Sequence, residues 1–506
     1  MNELHRRVEP GLTHSLDTLQ ESLLRLGETL PIGSAVAPAC RPENLGDPEF
    51  VKAHGLKYAY AGGSMANGIA SLRMAQALAK EGMLGFFGSA GLAPEQVEDA
   101  VAQSQGLAIG FNLINSPNEP RLEAELVDLY LRRQVRLIEA SAYLDLSLPL
   151  VRFRVKGLER LPSGEIAVRN RVAAKVSRVE VASRFMSPPP EKALRELLAQ
   201  GDITEEQARM AETVSMADDV TAEADSGGHT DNRPAITLLP TMIALRDRLQ
   251  EKYRYTRPVR VGAAGGIATP ASAAAAFAMG AAYVMTGSIN QACVESGTSD
   301  LVRRMLCEAD GADVAMAPAA DMFELGVKVQ VLKRGTMFAM RAGKLYEVYK
   351  AFNSLDEIPA PQRAALERDY FRAPCEDIWR RTREYFLKRD PAQAERGERD
   401  PKHKMALVFR WYLGQASRWA NSGEPSRKMD YQVWCGPGMG AFNEWAKGSF
   451  LEPAQERRVA VVALNLLAGA SYLSRVHALR CQGVAVNHQA AHFAPQRLEE
   501  LRQLLS

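Results

Sequence analysis

Eight short apolar runs constrain this chain more than any other feature, each ending in glycine or a small polar residue and each followed by amphipathic, helix-length sequence. They are LKYAYAGG, LGFFGSAG, AIGFNLIN, RLIEASAY, RVAAKVSR, VTAEADSGGH, VRVGAAGG and AYVMTGS, between residues 56 and 288. Strands this continuously apolar are buried on both faces, as in parallel sheets covered by helices. Eight of them alternating with helices predict an α/β fold, the TIM (β/α)8 barrel. Residues 261–294 carry no charge and are long enough to span a bilayer. Their Ala and Gly content, with Pro270, Thr269, Ser272 and Asn290, favours a buried strand, a small-residue helix and a second strand over a membrane helix.

Residues 1–50, before this unit, are expected to form a helical lead-in (Ser15 to Leu26) and a Pro-containing loop. Residues 51–350 hold the barrel with its insertions, and residues 351–506 an additional helical C-terminal subdomain rich in Arg, Trp and Tyr. Phe153 to Asn170 is expected to be a β-hairpin turning at PSG, between the fourth and fifth strands. Pro188 to Glu212 is expected to be two short helices, with Thr204 capping the second. Further helices are expected at Ser299 to Glu308 and Val459 to Leu479. Lys388 to Lys404, polar and holding two Asp-Pro pairs, is expected to be an exposed loop.

Composition narrows the function classes. A formal charge of +2 gives no global field that would draw in nucleic acid or an anionic membrane. None of the six cysteines is at CxxC spacing, so neither a zinc site nor a disulfide framework is expected. The N-terminus, MNELHRRVEP, lacks the apolar core of a signal peptide, and a cytoplasmic setting is expected.

Function in such a barrel sits at the carboxyl ends of the strands. The seventh run continues into GAAGGIATPAS, where Gly265 and Gly266 permit a tight turn and Thr269-Pro270 suits the start of a helix. The eighth ends in MTGSIN, where Gly287 and Ser288 offer further donors. Two such loops at these two strands are the usual phosphate cradle of this fold. The sixth ends in EADSGGHTDNRP: Gly227 and Gly228 allow a flat ring close to the backbone, and His229 can donate a hydrogen bond or a proton near neutral pH. A lone histidine is more often satisfied by a nearby Asp, here Asp225 or Asp231, but its place at a strand end favours chemistry. No second His or Cys lies at ligand spacing, so no metal site is expected. Gly62, Gly63, Ser64 and Met65 after the first strand suit a loop along a planar ring. Asn112 on the third strand could bond that ring, and Lys175 on the fifth could balance negative charge on it, though both also suit ordinary strand-end polar residues. No GxGxxG in a Rossmann context and no P-loop is found.

These motifs together resemble the superfamily of nitronate monooxygenases and FMN-dependent enoyl reductases, through GGH after strand six, AAGGI after strand seven and TGS after strand eight. EADSGGHTDNRPAITLLP, ACVESGTSD, PAADMFELGVKVQVLKRGTMFAMRAGKLYEVY and SLDEIP resemble the PfaD-type trans-acting enoyl reductases in particular, and that likeness covers most of the chain. It implies FMN as cofactor and NADPH or NADH as reductant. It implies a substrate tethered to the acyl carrier protein of a polyketide or polyunsaturated fatty acid synthase, with a homodimer as one arrangement it allows. It implies His229 as the catalytic residue. Gly63, Ser64, Met65, Asn112, Lys175, Gly227 and Gly228 would contact ring and ribityl chain, and Gly265, Gly266, Gly287 and Ser288 the phosphate.

Two other readings share these features: an oxygen-using nitronate monooxygenase, which has no need of the long C-terminal part, and a non-catalytic FMN-binding component of a synthase. The basic clusters Arg380, Arg381, Arg383, Lys388, Arg389 and Lys402, His403, Lys404 could dock an acidic carrier protein. Interleaved Glu and Asp make a solvated mixed-charge face the simpler reading.

Overall fold

The computed structural model describes residues 16–115 and 120–505 of the 506-residue chain. Its centre is a closed barrel of eight parallel strands: β1 (Tyr60–Gly62), β2 (Leu84–Phe87), β3 (Ile109–Ile114), β4 (Leu137–Ser141), β5 (Arg171–Val176), β6 (Asp219–Glu223), β7 (Arg260–Ala264) and β8 (Val284–Thr286). Each lies within one of the eight predicted runs or overlaps it closely. The ring closes through β8 on β1, with Thr286 opposite Gly62. The interior is filled: Ala61, Phe86, Ala173, Tyr283 and Met285 form part of a buried layer inside it.

Local sequence explains the flanking elements. Thr269 caps helix α1 (Pro270–Ala278), its hydroxyl accepting from the Ser272 amide at 3.2 Å, with Pro270 in the first turn. Thr204 likewise caps Glu205–Ala211, and Ser299 caps Asp300–Cys307.

Three expectations are corrected. The hairpin begins later than Phe153: Ser147 caps a helix, Leu148–Lys156, so only Leu158–Arg160 and Ile166–Val168 pair as strands. The loop expected before residue 50 contains a small antiparallel pair, Leu30–Ile32 with Ala35–Ala37, and a helix, Pro48–His54. Lys388 to Lys404 is not a loop. It runs through the end of helix α2 (Cys375–Arg389), the helix Pro391–Arg399, and the start of α3 (Pro401–Ser422). Each Asp-Pro pair sets a helix start: Asp390 and Asp400 stand at the N-cap with proline following, and the Asp400 carboxylate accepts from the His403 amide at 3.0 Å. Asp400→Ala is expected to lower stability by about 1 kcal/mol, read as a lower urea midpoint at unchanged slope.

After the barrel, β9 (Val314–Pro318) and β10 (Lys328–Leu332) form an antiparallel hairpin that the sequence reading did not anticipate. Its inner strand pairs with the loop after β6, Gly228 opposite Gln330 and His229 opposite Val329. Residues between Ala317 and Ala416 build a hydrophobic core of their own, whereas residues from Tyr431 onward return to the barrel's core. Helix α4 (Val459–Cys481) is long and apolar enough to cross a membrane by composition, but 83% of its most apolar window is buried in the fold. It lies against α1, where a Cβ on Gly469 would come within 2.6 Å of Pro270.

Candidate active site

The carboxyl ends of the strands open into two adjoining spaces that share wall residues. The smaller, about 80 Å³, is lined by Gly265, Gly266, Gly287 and Ser288 with Gly63, Ser64, Met65, Lys175 and Gly227. The larger, about 1000 Å³, shares Ser64, Met65, Lys175 and Gly227 and adds Asn112, Gly228 and His229. Each of the candidate cofactor and catalytic residues thus lines one space or both.

The small space has the character of an anion cradle. Gly265 and Gly266 take φ of +80° and +74°, a conformation glycine adopts without strain. Ala268 and Thr269 amides both donate to Ser272 Oγ at 2.9 Å. The amides of Gly266, Ile267 and Gly287 find no acceptor among the described residues. A Cβ at Gly266 or Gly287 would meet nothing within 4 Å, so both positions face open space. The far wall comes from residues 434–438: the Gly436 amide donates to Ser288 Oγ at 3.0 Å, and a Cβ on Gly227 would come within 2.8 Å of the Cys435 nitrogen.

At the floor of the larger space lies a buried charge cluster. Lys175 Nζ is 3.6 Å from Glu139 Oε2 and 3.8 Å from Glu223 Oε1. Glu139 Oε2 also accepts from the Ser64 amide at 3.2 Å and from the Ser64 hydroxyl, and Glu139 Oε1 is buried without a partner. Burial acts against the Lys175 charge, but its two carboxylates outweigh it and the pKa is raised. Burial pushes Glu223 up, with Glu139 adding to it, against the pull of Lys175 and Ser226. The cluster changes the expectation for Lys175: its charge is already shared between two acids. Asn112 spends both amide hydrogens on Glu139 O and Ser141 Oγ, at 3.2 and 2.8 Å, leaving its Oδ1 as the atom that can face a ligand.

His229 Nε2 lies 3.2 Å from Asp321 Oδ1. Burial disfavours the imidazolium, but Asp321 more than compensates, with Glu223 adding to it, and the pKa is raised above the usual histidine value. The Asp321 carboxyl, which burial would raise, is held low by His229. The acids next to His229 in sequence are occupied elsewhere: Asp231 by Arg178 and Ser177, Asp225 by Gln330 and Asn232. Asp321 stands 92 positions along, in the turn of the β9–β10 hairpin, and pairing of that hairpin with Gly228–His229 carries it there. Sequence reasoning missed Asp321, Glu139 and Glu223. Glu139 left a signal, as a lone acid inside the apolar run RLIEASAY.

A closed parallel barrel with an amide-lined cradle on its last two loops and ionisable groups gathered at the same mouth is a (β/α)8 barrel with its candidate site at the carboxyl ends of its strands. More particularly, the chain belongs to the nitronate monooxygenase family, whose profile matches residues 50–348. A second profile, described as acyl-carrier-protein S-malonyltransferase, inserted helical domain, matches residues 352–431. The chain is 46% identical over 458 residues to a polyunsaturated fatty acid synthase component of Thraustochytrium sp., covering 88% of this chain and 31% of that protein. It is 45% identical over 472 residues to polyketide biosynthesis protein PksE of Bacillus subtilis, covering 91% of this chain and 61% of that protein. It therefore spans 31% of the first of these relatives and 61% of the second. The enoyl reductase domain of MlnA, from the macrolactin biosynthesis cluster of Bacillus amyloliquefaciens, superposes with a TM-score of 0.82 at 42% identity, covering 87% of this chain and all of that one.

Proposed function

We propose that this chain is a flavin-dependent enoyl reductase that takes NADPH or NADH and reduces the α,β double bond of thioesters carried on the acyl carrier protein of a polyketide or polyunsaturated fatty acid synthase, in the cytoplasm. One observation carries the reading: the amide cradle adjoins the cavity of about 1000 Å³ that holds the Lys175 cluster and the His229–Asp321 pair, the two sharing Ser64, Met65, Lys175 and Gly227 in their walls. The similarity to the MlnA enoyl reductase domain over nearly its whole length supports the reaction class.

The residues present fit FMN. Its phosphate matches the unspent amides of Gly266, Ile267 and Gly287. The orphaned Glu139 Oε1 supplies an acceptor for a ring N–H or ribityl hydroxyl. A flavin held there would supply the hydride for the double bond. His229, whose imidazolium form the Asp321 carboxylate favours, would donate to the thioester carbonyl or deliver the proton to Cα. Gly227 and Gly228 admit the ring beside the backbone. Residues 351–506, and within them the helices of 352–431, are proposed as the substrate- and carrier-protein-facing unit, consistent with the second profile match and with their place in the cavity wall.

The test begins with the purified protein, which is expected to be yellow and to release FMN on denaturation. Under anaerobic conditions NADPH should bleach the flavin, and crotonyl thioester on a carrier protein should restore its colour. Restoration by oxygen with a nitronate, and none by any enoyl thioester, would instead establish the monooxygenase reading. Protein that binds FMN but cannot be reduced by either dinucleotide would point to a non-catalytic component.

A further inference from the structure

The larger cavity has a second charged region, away from the barrel and on the helical wall formed by α2 and α3. Arg381, Tyr385 and Arg389 follow one another at four-residue intervals along α2, so they share a stripe of that helix. Arg418 joins them from α3. The guanidinium carbons of Arg389 and Arg418 lie 5.5 and 5.9 Å from the centre of the Tyr385 ring. All four residues line the cavity.

What separates this group from an ordinary mixed-charge surface is how its neighbours are paired. On α2, Arg380 bonds Asp377 at 2.9 Å and Arg383 bonds Glu398 at 2.8 Å. In the same cavity wall, Arg410 is held by Glu324 at 3.2 Å and Arg427 by Asp430 at 3.1 Å. Arg381, by contrast, has neither ion pair nor hydrogen bond among the described residues, and Arg418 has no ion pair there. Glu424, an acid of the same wall, is turned onto Ser426. Two exposed arginines without an ion-pair partner among the described residues therefore line the cavity, Arg418 against the Tyr385 ring and Arg381 one turn along α2 from it. Planar guanidinium forks match the oxygens of a phosphate, and the tyrosine ring holds the cation of Arg418 in place.

We propose that Arg381 and Arg418, with Tyr385, form a binding site for a phosphate ester carried by a molecule that enters the cavity. The site rests on the enoyl-reductase reading of the cavity, and two such molecules have the required chemistry. One is the phosphodiester that joins the thiol-bearing arm of a carrier protein to its serine. The other is the nicotinamide dinucleotide, with its ribose and bridging phosphates. Either would bring a reacting group into the cavity while its phosphate stays at the rim.

The test uses FMN-loaded full-length enzyme and three probes that do not react: 4′-phosphopantetheine, pantetheine and NADP⁺, each measured by equilibrium dialysis. The variants are Arg381→Gln/Arg418→Gln and, as a control with the same charge change, Arg380→Gln/Arg383→Gln. Flavin content and melting temperature are expected to match the wild type in both, because the four side chains are exposed. The first pair should weaken at least one phosphorylated probe by about tenfold or more and leave pantetheine unchanged, since each charge-assisted bond is worth roughly that factor. The control pair should change none of the three. Weakening confined to 4′-phosphopantetheine assigns the site to the carrier arm. Weakening confined to NADP⁺ assigns it to the dinucleotide. Unchanged binding of both phosphorylated probes, or equal weakening in the control pair, overturns the proposal. None of the probes turns over, so failure of enoyl reduction would leave this result standing, and the reverse also holds.

Discussion

His229→Ala is expected to slow reduction of an enoyl thioester by about 10²–10⁴-fold, the usual contribution of a positioned proton donor. Bleaching of the flavin by NADPH should survive, because that half of the cycle needs no proton delivered to an acyl chain. The two halves can be followed separately by anaerobic stopped flow. Asp321→Asn is the more discriminating change. In the wild type the Asp321 carboxylate outweighs the cost of burial and raises the His229 pKa, so the imidazolium persists above the usual histidine value. The rate of flavin reoxidation by substrate should therefore fall as pH rises past that raised value. Without the carboxylate the same fall should begin at lower pH, and the rate below it should stay closer to wild type. A purely structural role for Asp321 would lower the rate at every pH without moving the limb. His229→Ala turning over at the wild-type rate would remove His229 from the chemistry altogether.

The contrast between His229 and Asp321 also shows where sequence reasoning reached its limit. The eight strands were legible because each run carries its own punctuation: an apolar stretch, a glycine or small polar stop, then a helix. The cradle was legible for the same reason, since Gly265, Gly266, Thr269 and Pro270 state a turn and a helix start within a few residues. Asp321 was not, because its meaning depends on register. VKVQVL alternates as a strand should, but nothing local says that Val329 pairs with His229. Glu139 and Glu223 were hidden similarly. Each reads as one acid in an apolar strand until β4, β5 and β6 are laid side by side, with Glu139 opposite Ala173 and Thr221 opposite Lys175. The Asp-Pro pairs at residues 390 and 400 misled for a different reason. The same dipeptide opens a turn or caps a helix, and only the sequence that follows decides which.

Lys175→Met is expected to destabilise the folded protein by about 3–5 kcal/mol at neutral pH, the cost of removing one partner from a buried ion cluster. Methionine keeps much of the side-chain volume, so the loss reports charge rather than a cavity. The pH dependence identifies its source. Burial, the largest cause, and the neighbouring Glu139 already raise the Glu223 pKa, against the opposing pull of Lys175. Removing Lys175 raises it further. A carboxyl that holds its proton more tightly when folded contributes stability below its unfolded pKa and loses it as pH rises through the folded value. The deficit of the variant should therefore be smallest in mild acid and widen toward alkaline pH, as measured by urea unfolding at about pH 5 and about pH 8. A deficit that stays constant with pH would mean that groups other than Lys175 carry the cluster's charge balance. The double variant Lys175→Met/Glu223→Gln sharpens the comparison. It removes one of the two acids left without a cation, so at neutral pH it should be more stable than Lys175→Met alone. If Glu223→Gln instead adds its own cost to that of Lys175→Met, the two side chains act independently, and the cluster at the barrel floor is three separate groups rather than one electrostatic unit.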